Sequence, residues 1–238
     1  MPSVIAIDGP AGSGKSSVSL ALARRLGYLF VDTGAFYRAV TWLALQREID
    51  PHASDQVAAL ARQTHLDMHP RPNADPPYRF LADGRDITAH LHTPEVDAYV
   101  SVVAANADVR TAVLEAQRQL ARRGRVIMAG RDIGSVVLPD ADLKIYIDAN
   151  LEERARRRYR QRLAEGVAED LESIRKGLLA RDRLDSSRDV APLTRLPDAV
   201  YLDTSNMNLQ EAVEAAYRIV TTRDCPDSPP SDRPNARP

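Results

Sequence analysis

The sequence predicts an α/β domain built on a doubly wound parallel sheet. Short apolar runs that end at an acidic residue or a glycine alternate with longer helical patterns. Most of these runs are apolar at consecutive positions, which is typical of parallel strands covered by helices on both faces. The predicted strands are residues 4–8, 29–32, 125–129, 143–148 and 199–203.

Helical patterns follow these strands along the chain. The first begins inside a glycine-rich segment, and the others have the length and periodicity of amphipathic helices. Strand–helix alternation of this kind predicts crossover connections between parallel strands. The predicted helices are residues 15–26, 35–47, 108–123, 151–165, 170–184 and 209–222.

Two stretches interrupt the alternation. Residues 64–98 contain several prolines, turn-forming residues at 73–77 and a hairpin signal at Asp83-Gly84, so we predict an insertion with its own β structure. Residues 223–238 are rich in proline, aspartate and serine and poor in apolar residues, which predicts a disordered tail.

Composition argues against several classes of protein. The 238 residues carry a formal net charge of -1, whereas a dedicated nucleic-acid-binding protein would be strongly positive. The single cysteine, Cys225, can form neither an intramolecular disulfide nor a cysteine-based metal site. The sequence has no signal-peptide pattern and no run approaching about 20 apolar residues, so we expect a cytoplasmic protein without a membrane span.

A phosphate-binding loop follows the first predicted strand, where residues 9–16 read GPAGSGKS and match GxxxxGK[ST]. Its glycines let the backbone wrap around phosphate oxygens, and the following helix N-terminus adds partial positive charge. Lys15 is expected to reach the β- and γ-phosphates of a nucleoside triphosphate, and Ser16 to ligate Mg²⁺. The predicted nucleotide-binding residues here are Gly9, Pro10, Ala11, Gly12, Ser13, Gly14, Lys15, Ser16 and Ser17.

Alternative roles for this glycine-rich loop fit the sequence less well. A glycine-rich turn could match the pattern by chance, but the strand before it and the helix after it favour phosphate binding. A dinucleotide-binding fold requires GxGxxG, and Ser17 occupies the position of the third glycine. A GTPase requires NKxD-type and DxxG segments, which the sequence lacks. The loop therefore indicates a kinase or an ATPase and leaves its substrate open.

Polar residues follow the second and third predicted strands, at the edge where ligands bind in open α/β sheets. Asp32 and Thr33 end the second strand, and Asp32 either orders the magnesium shell or caps the next helix. Arg38, about one turn into that helix, pairs with a phosphate or faces solvent. Arg131 and Asp132 after the third strand form either a phosphate ligand beside a carboxylate or a buried ion pair.

The predicted helix at 151–165 carries more arginine than solubility requires. We predict a mobile lid whose Arg154, Arg157 and Arg158 close over the transferring phosphoryl group. A solvated or nucleic-acid-binding face is the alternative interpretation.

Residues 180–193 present several charged groups from a helix end and the loop that follows it. Arg181, Asp185 and Arg188 are spaced so that they can converge on one ligand. Alone, the same spacing also suits a structural salt-bridge network.

Taken together, the chain resembles bacterial cytidylate kinases, which belong to the nucleoside monophosphate kinases. The resemblance covers residues 4–220 and implies a P-loop nucleoside-kinase-like three-layer α/β fold with a five-stranded parallel sheet, an NMP-binding insertion and a short arginine-rich lid. It rests on five segments in chain order: IDGPAGSGKSS, DTGAFYRA, GRDIGSVVLPDADLKIYIDA, ERARRR and RDRLDSSRDVAPL.

The resemblance also implies how the chain is divided. A kinase domain spans residues 1–222, and the tail is 223–238. Within the domain, the core is 1–32, 121–150 and 166–222, the NMP-binding region is 33–120 with its insertion at 64–98, and the lid is 151–165.

Matching positions imply the roles of individual residues. The base would be contacted by Thr33, Ser101, Arg110 and Asp132. The implied substrate-binding residues are Thr33, Tyr37, Arg38, Ser101, Arg110, Arg131, Asp132, Arg181, Asp185 and Arg188. The implied catalytic residues are Lys15, Arg131, Asp132, Arg157 and Arg188, with Arg154 and Arg158 on the nucleotide, and Ser16 and Asp32 at the metal.

The implied reaction is phosphorylation of CMP and dCMP by ATP with Mg²⁺, by a monomer that binds neither nucleic acid nor membranes. Two other functions stay open at the level of sequence. One is a P-loop kinase that acts on UMP, AMP or another acceptor. The other is a nucleic-acid-binding ATPase that uses the arginine-rich helix.

Overall fold

The computed structural model describes residues 1–71, 74, 76–164, 166–188 and 190–222. Its elements alternate between strand and helix, with a small antiparallel sheet after the third helix. In chain order they are β1 (Val4–Asp8), α1 (Lys15–Leu26), β2 (Leu29–Asp32), α2 (Gly34–Gln46), α3 (Ser54–Gln63), β3 (Leu66–Pro70), β4 (Tyr78–Ala82), β5 (Arg85–Asp86), α4 (Pro94–Ala105), α5 (Ala107–Arg122), β6 (Val126–Gly130), β7 (Leu143–Asp148), α6 (Leu151–Ala164), α7 (Leu171–Ser186), β8 (Val200–Asp203) and α8 (Leu209–Thr221).

The main sheet has five parallel strands in the order β2-β6-β1-β7-β8, which confirms the predicted fold class. Strand β1 is the central strand, with β6 and β2 on one side and β7 and β8 on the other. The residues at the carboxyl ends of β1 and β6 pair directly, Asp8 opposite Gly130. The segments that follow these two strands therefore leave the sheet side by side.

Two apolar layers cover the sheet, one on each face. Alternate residues of β1 divide between them, because side chains of a strand point to opposite faces. Ile5 and Ile7 pack with α1 and α8, whereas Ala6 packs in the larger cluster formed by α2 to α5 and the small sheet. This helix–sheet–helix sandwich is the three-layer arrangement that the sequence predicts.

The predicted insertion contains the expected β structure. Strands β3, β4 and β5 form an antiparallel sheet, and the β4–β5 turn is Asp83-Gly84. Both turn residues have positive φ, 48° and 79°, as a two-residue hairpin turn of the primed type requires. The turn predicted at 73–77 includes residues 73 and 75, which lie outside the described residues. The predicted disordered tail, 223–238, lies entirely outside them.

Two helices were not predicted. Helix α3 occupies part of the long gap between the second helix and the insertion, and α4 begins at Pro94 inside the predicted insertion. Proline usually indicates a loop, but at the first position of a helix its missing N–H is not needed. Thr93 caps α4 by accepting a hydrogen bond from the Val96 N–H. The predicted helices agree with the structure to within two residues at either end.

Within the described ranges, no helix is both long and apolar enough to cross a membrane.

Gly9 lies where β1 passes directly against β7. A Cβ atom added to Gly9 would overlap the carbonyl oxygen of Ile147. That oxygen belongs to the backbone of a strand held between β1 and β8, so it cannot move aside cheaply. Glycine is therefore required here by close backbone approach.

We expect Gly9→Ala to lower the free energy of unfolding by about 1–3 kcal/mol, as overpacking does, and to weaken nucleotide binding. The control is Gly177→Ala in α7, where an added Cβ meets nothing within 4 Å. That substitution should instead stabilise the helix by up to about 1 kcal/mol. Urea unfolding of both variants checks the prediction, and equal effects would contradict it.

Candidate active site

The candidate site is a cavity of about 860 Å³ at the carboxyl edge of the main sheet. The loop between β1 and α1 forms one wall, and Gly14 in the left-handed conformation precedes the first residue of α1. Arginines from α2, the turn after β6, α6 and α7 line the other walls. The loop and the later polar segments therefore share one cavity.

Lys15 begins α1 and is buried, with 8% of its surface exposed. Its amine donates to the carbonyl of Pro10 at 3.0 Å, which folds the side chain over the loop. Burial lowers the pKa of Lys15 well below its ordinary value, and the positive charge of Arg131 lowers it further. A bound anion would offset both effects, so the amine is poised for phosphate.

Ser16 and Asp32 lie together, as a metal site at this edge requires. The Ser16 hydroxyl donates to Oδ2 of Asp32 at 3.1 Å, and Oδ1 accepts from the Gly34 N–H at 2.9 Å. Asp32 thus accepts from the backbone at the start of α2, as the capping interpretation requires, and its place in a magnesium shell stays a prediction. A hydroxyl and one carboxylate, completed by phosphates and water, suit Mg²⁺.

No group of three or more histidine, cysteine, aspartate or glutamate side chains gathers as a metal site within residues 1–71, 74, 76–164, 166–188 and 190–222.

Helix α6, the predicted lid, lines the cavity with several residues and also binds the backbone of the loop. Nη1 of Arg154 donates to the Ala11 carbonyl at 3.1 Å and to the Asp182 carboxylate at 2.6 Å, and its Nε donates to Ala149. Ala11 packs in a small apolar cluster with α6 and α7, which draws α6 against the loop. Arg154 is therefore held against the loop backbone and is not among the residues that line the cavity.

Arg157, one turn further along α6, binds the same loop. Its Nη1 donates to the Ser13 carbonyl and to Oγ1 of Thr204, each at 3.1 Å, and its Nη2 donates to the carbonyls of Thr204 and Met207. Nε donates to Glu153. All three guanidinium nitrogens are thus engaged. Arg157 and Arg158 both line the cavity, and their contact with a transferring phosphoryl group stays a prediction.

Arg131, Asp185 and Arg188 form a largely buried ion-pair network beside the cavity. Nε of Arg131 donates to Oδ2 of Asp185 at 2.8 Å, and Nη2 of Arg188 donates to Oδ1. Burial opposes ionisation of Asp185, but Arg131 and Arg188 hold its pKa below the ordinary value. The salt-bridge network considered from the sequence therefore exists, and Arg131 also lines the cavity.

Arg181 adds a cation that the network does not neutralise. Burial and the charge of Arg131 lower its pKa to about 10. Among the described residues, the buried Nε atoms of Arg181 and Arg188 have no hydrogen-bond partner. Unsatisfied buried donors are costly, so these groups are suited to an anionic ligand.

Arg38 reaches the cavity from α2 and is held by α4. Its Nη1 donates to Asp97 at 2.6 Å and to the carbonyl of Leu91 at 3.0 Å. Both Arg38 and Asp97 line the cavity. The structure therefore places Arg38 at the cavity, with a carboxylate that fixes the direction of its guanidinium.

The residues implied to read the base lie deeper than the cavity wall. Arg110 and Asp132 form a buried ion pair, and the guanidinium of Arg110 lies 5.2 Å from the ring centroid of Tyr37. Burial raises the pKa of Tyr37 to about 12, so its hydroxyl stays protonated. Thr33 is buried and donates to the Ala129 carbonyl. Ser101 on α4 is half-buried and makes no side-chain hydrogen bond to another described residue.

Three contributors to the site were missed in the sequence. Asp8 at the end of β1 accepts hydrogen bonds from two backbone N–H groups after β6, Asp97 orients Arg38, and Thr204 joins Ser13 to Arg157. Asp8 ends a predicted strand beside the loop, which was a usable signal. Asp97 and Thr204 carried none, because they meet their partners only through tertiary contacts.

Comparison with known proteins gives one consistent result. The family model described as cytidylate kinase matches residues 5–222. The cytidylate kinase of Geobacillus kaustophilus is 44% identical over 219 residues, which is 92% of this chain and 96% of that protein. The bifunctional pantoate ligase/cytidylate kinase of Synechococcus sp. (strain JA-3-3Ab) is 45% identical over 91% of this chain, which spans only 40% of that relative's length.

Among solved structures, an uncharacterised protein from Eubacterium ventriosum is similar with a TM-score of 0.52 and 14% identity. The similarity covers 94% of this chain and all of that one. It supports the fold alone.

Convergent cations predict that inorganic pyrophosphate stabilises the protein. At about a hundred times its Kd, a ligand adds about 2.7 kcal/mol, which should raise the Tm of a chain this size by roughly 5–10 °C. Arg181→Ala should at least halve that shift, while its Tm without ligand stays equal or rises because like-charge repulsion is removed. Arg183→Ala, exposed on the same helix, is the control. An undiminished shift in Arg181→Ala would contradict the assignment.

Proposed function

Because this chain belongs to the cytidylate kinase family, we propose that it transfers the γ-phosphoryl group of ATP to CMP and dCMP. The chain is an enzyme of pyrimidine nucleotide metabolism that phosphorylates these two acceptors. ATP as the donor, Mg²⁺ as the metal and the roles of individual residues are parts of the proposal. We also propose a cytoplasmic monomer that binds no nucleic acid.

One observation carries the proposal. Lys15 of the loop and Arg38, Arg131 and Arg181 of later segments line the same cavity. A loop that binds only one nucleotide has no need of three further cations from other segments. Cations from both the loop and later segments at one cavity suit two phosphorylated ligands whose phosphates meet.

The acceptor needs little chemical activation. Its phosphate is already an anion at neutral pH, so no strong general base is required, and catalysis consists mainly of alignment and charge neutralisation. In the proposal, Lys15 offsets charge on the transferred group, while Arg38, Arg131 and Arg188 orient the attacking oxygen. Asp185 fixes Arg131 and Arg188 by accepting from both.

Ser16 and Asp32 would hold Mg²⁺, the hydroxyl directly and the carboxylate through water. The ion would supply charge neutralisation between donor phosphates. The hydrogen bond between the two side chains already sets their distance at 3.1 Å. Gly9 to Ser17 would surround the donor phosphates, and Thr204 and Met207, which line the cavity, would border the rest of the donor nucleotide.

Base selection is proposed for Thr33, Ser101, Arg110 and Asp132. A carboxylate accepts well from the exocyclic amine of cytosine, whereas it repels the carbonyl of uracil at the same position. Since Asp132 is paired with Arg110, the same contact fixes the direction of the carboxylate. Tyr37 supports that pair through its ring.

The arginine-rich helix receives a revised proposal. Arg154 and Arg157 bind loop carbonyls, so we assign both to holding the donor loop. Arg157 also lines the cavity beside Arg158, so we keep these two as the lid arginines that face the nucleotide. The division of the chain stays as the sequence implied: a domain of 1–222 with core, NMP-binding region 33–120, and lid 151–165.

Lys15→Ala should lower kcat by about 10²–10³-fold, as loss of one preorganised cation at the transferred group does, with an intact fold. Lys176→Ala on the exposed face of α7 is the matched control, because its amine pairs with Glu172 of the same helix and does not line the cavity. A coupled assay of ADP release across CMP, dCMP, UMP, AMP and GMP measures both variants. Normal turnover in Lys15→Ala would refute the mechanism, and a preference for AMP or GMP would refute the acceptor.

Asp132→Ala should lower kcat/KM for CMP by roughly 10- to 100-fold, the value of a charged hydrogen bond, and reduce the preference for CMP over UMP. ATP affinity should be spared. Because Arg110 loses its partner, thermal unfolding must be measured alongside. Asp140→Ala, exposed beyond the same turn, is the control. Unchanged CMP kinetics in Asp132→Ala would exclude its role in base recognition.

A further inference from the structure

We propose that Asp8 is a positioning residue for the acceptor, which it never touches: it sets the segment Gly130–Asp132 against the donor loop. The inference rests on the proposed function of Arg131 and Asp132. It assigns a task to a buried carboxylate that neither phosphate binding nor base recognition uses.

The carboxylate of Asp8 binds two consecutive backbone groups. Oδ1 accepts from the N–H of Ile133 and Oδ2 from the N–H of Gly134, each at 2.8 Å. Only 7% of Asp8 is exposed, so water competes little for these bonds. Both oxygens are therefore committed to the start of the short helical turn Ile133–Val137.

Asp8 also fixes the other end of the same segment. In the parallel ladder between β1 and β6, Asp8 pairs with Gly130, the residue immediately before Arg131. Arg131 and Asp132 thus lie between two attachments to Asp8. Before them, Gly130 pairs with the backbone of Asp8, and after them the Asp8 carboxylate binds the next two N–H groups. The next residue along the chain, Gly9, begins the donor loop, so one residue relates both halves of the site.

Ionisation of Asp8 matters for this arrangement, because a protonated carboxyl would present an O–H to one of the two N–H groups. Burial raises its pKa to about 6, the two backbone hydrogen bonds oppose that rise, and nearby Asp132 adds to it while Lys15 opposes it. Tyr146 on β7, which pairs with Asp8 in the ladder between β1 and β7, is another titratable group near this carboxylate. Lowering the pH through 6 should therefore remove one acceptor and loosen the segment.

The test compares Asp8→Asn with Asp142→Asn. Asp142 makes the same kind of contact at the opposite end of β1, where its Oδ2 accepts from the N–H groups of Ser3 and Val4. We expect Asp8→Asn to weaken CMP binding by at least about tenfold, because an amide N–H₂ must face one backbone N–H. Affinity for a non-hydrolysable ATP analogue should change less than about threefold. Asp142→Asn should leave both affinities unchanged.

Two results would overturn the proposal: CMP affinity of Asp8→Asn within about twofold of wild type, or equal losses for CMP and the ATP analogue, as general loop collapse would give. Failure of wild type to bind or phosphorylate CMP is a separate outcome, because it rejects the proposed function before any variant is compared.

If Asp8→Asn does not fold, the proposal is tested by the pH dependence of ligand affinity in the wild-type protein. The probe is cytidine 5′-sulfate, because a phosphate ester would itself titrate near pH 6. Its affinity should fall roughly fourfold between pH 7.5 and 5.5, as expected when binding requires an ionised group of that pKa. An affinity that is flat over this range would contradict the role of Asp8.

Discussion

The concentration of positive charge at the carboxyl edge of the sheet is the constraint on which the rest of the site depends. Burial lowers the pKa of Lys15 and of Arg181, and the positive charge of nearby Arg131 lowers both further. Asp185 offsets part of this repulsion, but unsatisfied buried donors on Arg181 and Arg188 persist. A bound phosphate would supply the missing negative charge, and folding stability and ligand binding would then be linked through the same groups.

Such a cluster works only if its backbone cannot relax away from the repulsion. The donor loop is held from behind by Arg154 and Arg157, which bind the carbonyls of Ala11 and Ser13. The segment Gly130–Asp132 is held by Asp8, whose carboxylate accepts from the two backbone N–H groups that follow it. Phosphoryl transfer depends on alignment more than on acid–base chemistry, so these supports matter as much as the ligands.

The fold was largely predictable because its signals are local. Consecutive apolar residues in five short runs predicted the parallel sheet, and Asp83-Gly84 predicted the β4–β5 hairpin. Helices α3 and α4 were missed. In α4, the proline at position 94 indicates a loop at the level of sequence, although Thr93 caps a helix there and Pro94 occupies a first position that tolerates it. Helix formation at such sites depends on packing against neighbours more than on local propensity.

By itself the sequence determined the phosphate loop, the parallel sheet and the segments that carry the acceptor residues, because glycine spacing and apolar periodicity act over short distances. Tertiary structure decided which charges pair. Arg110 with Asp132, Arg131 with Asp185 and Arg38 with Asp97 are separated by 22, 54 and 59 residues. It also joined Arg154 and Arg157 to carbonyls of the phosphate-binding loop, because apolar contacts hold α6 against Ala11. Pairings of that kind have no sequence signal, since the direction of a long charged side chain is set by whichever partner the folded backbone brings within reach.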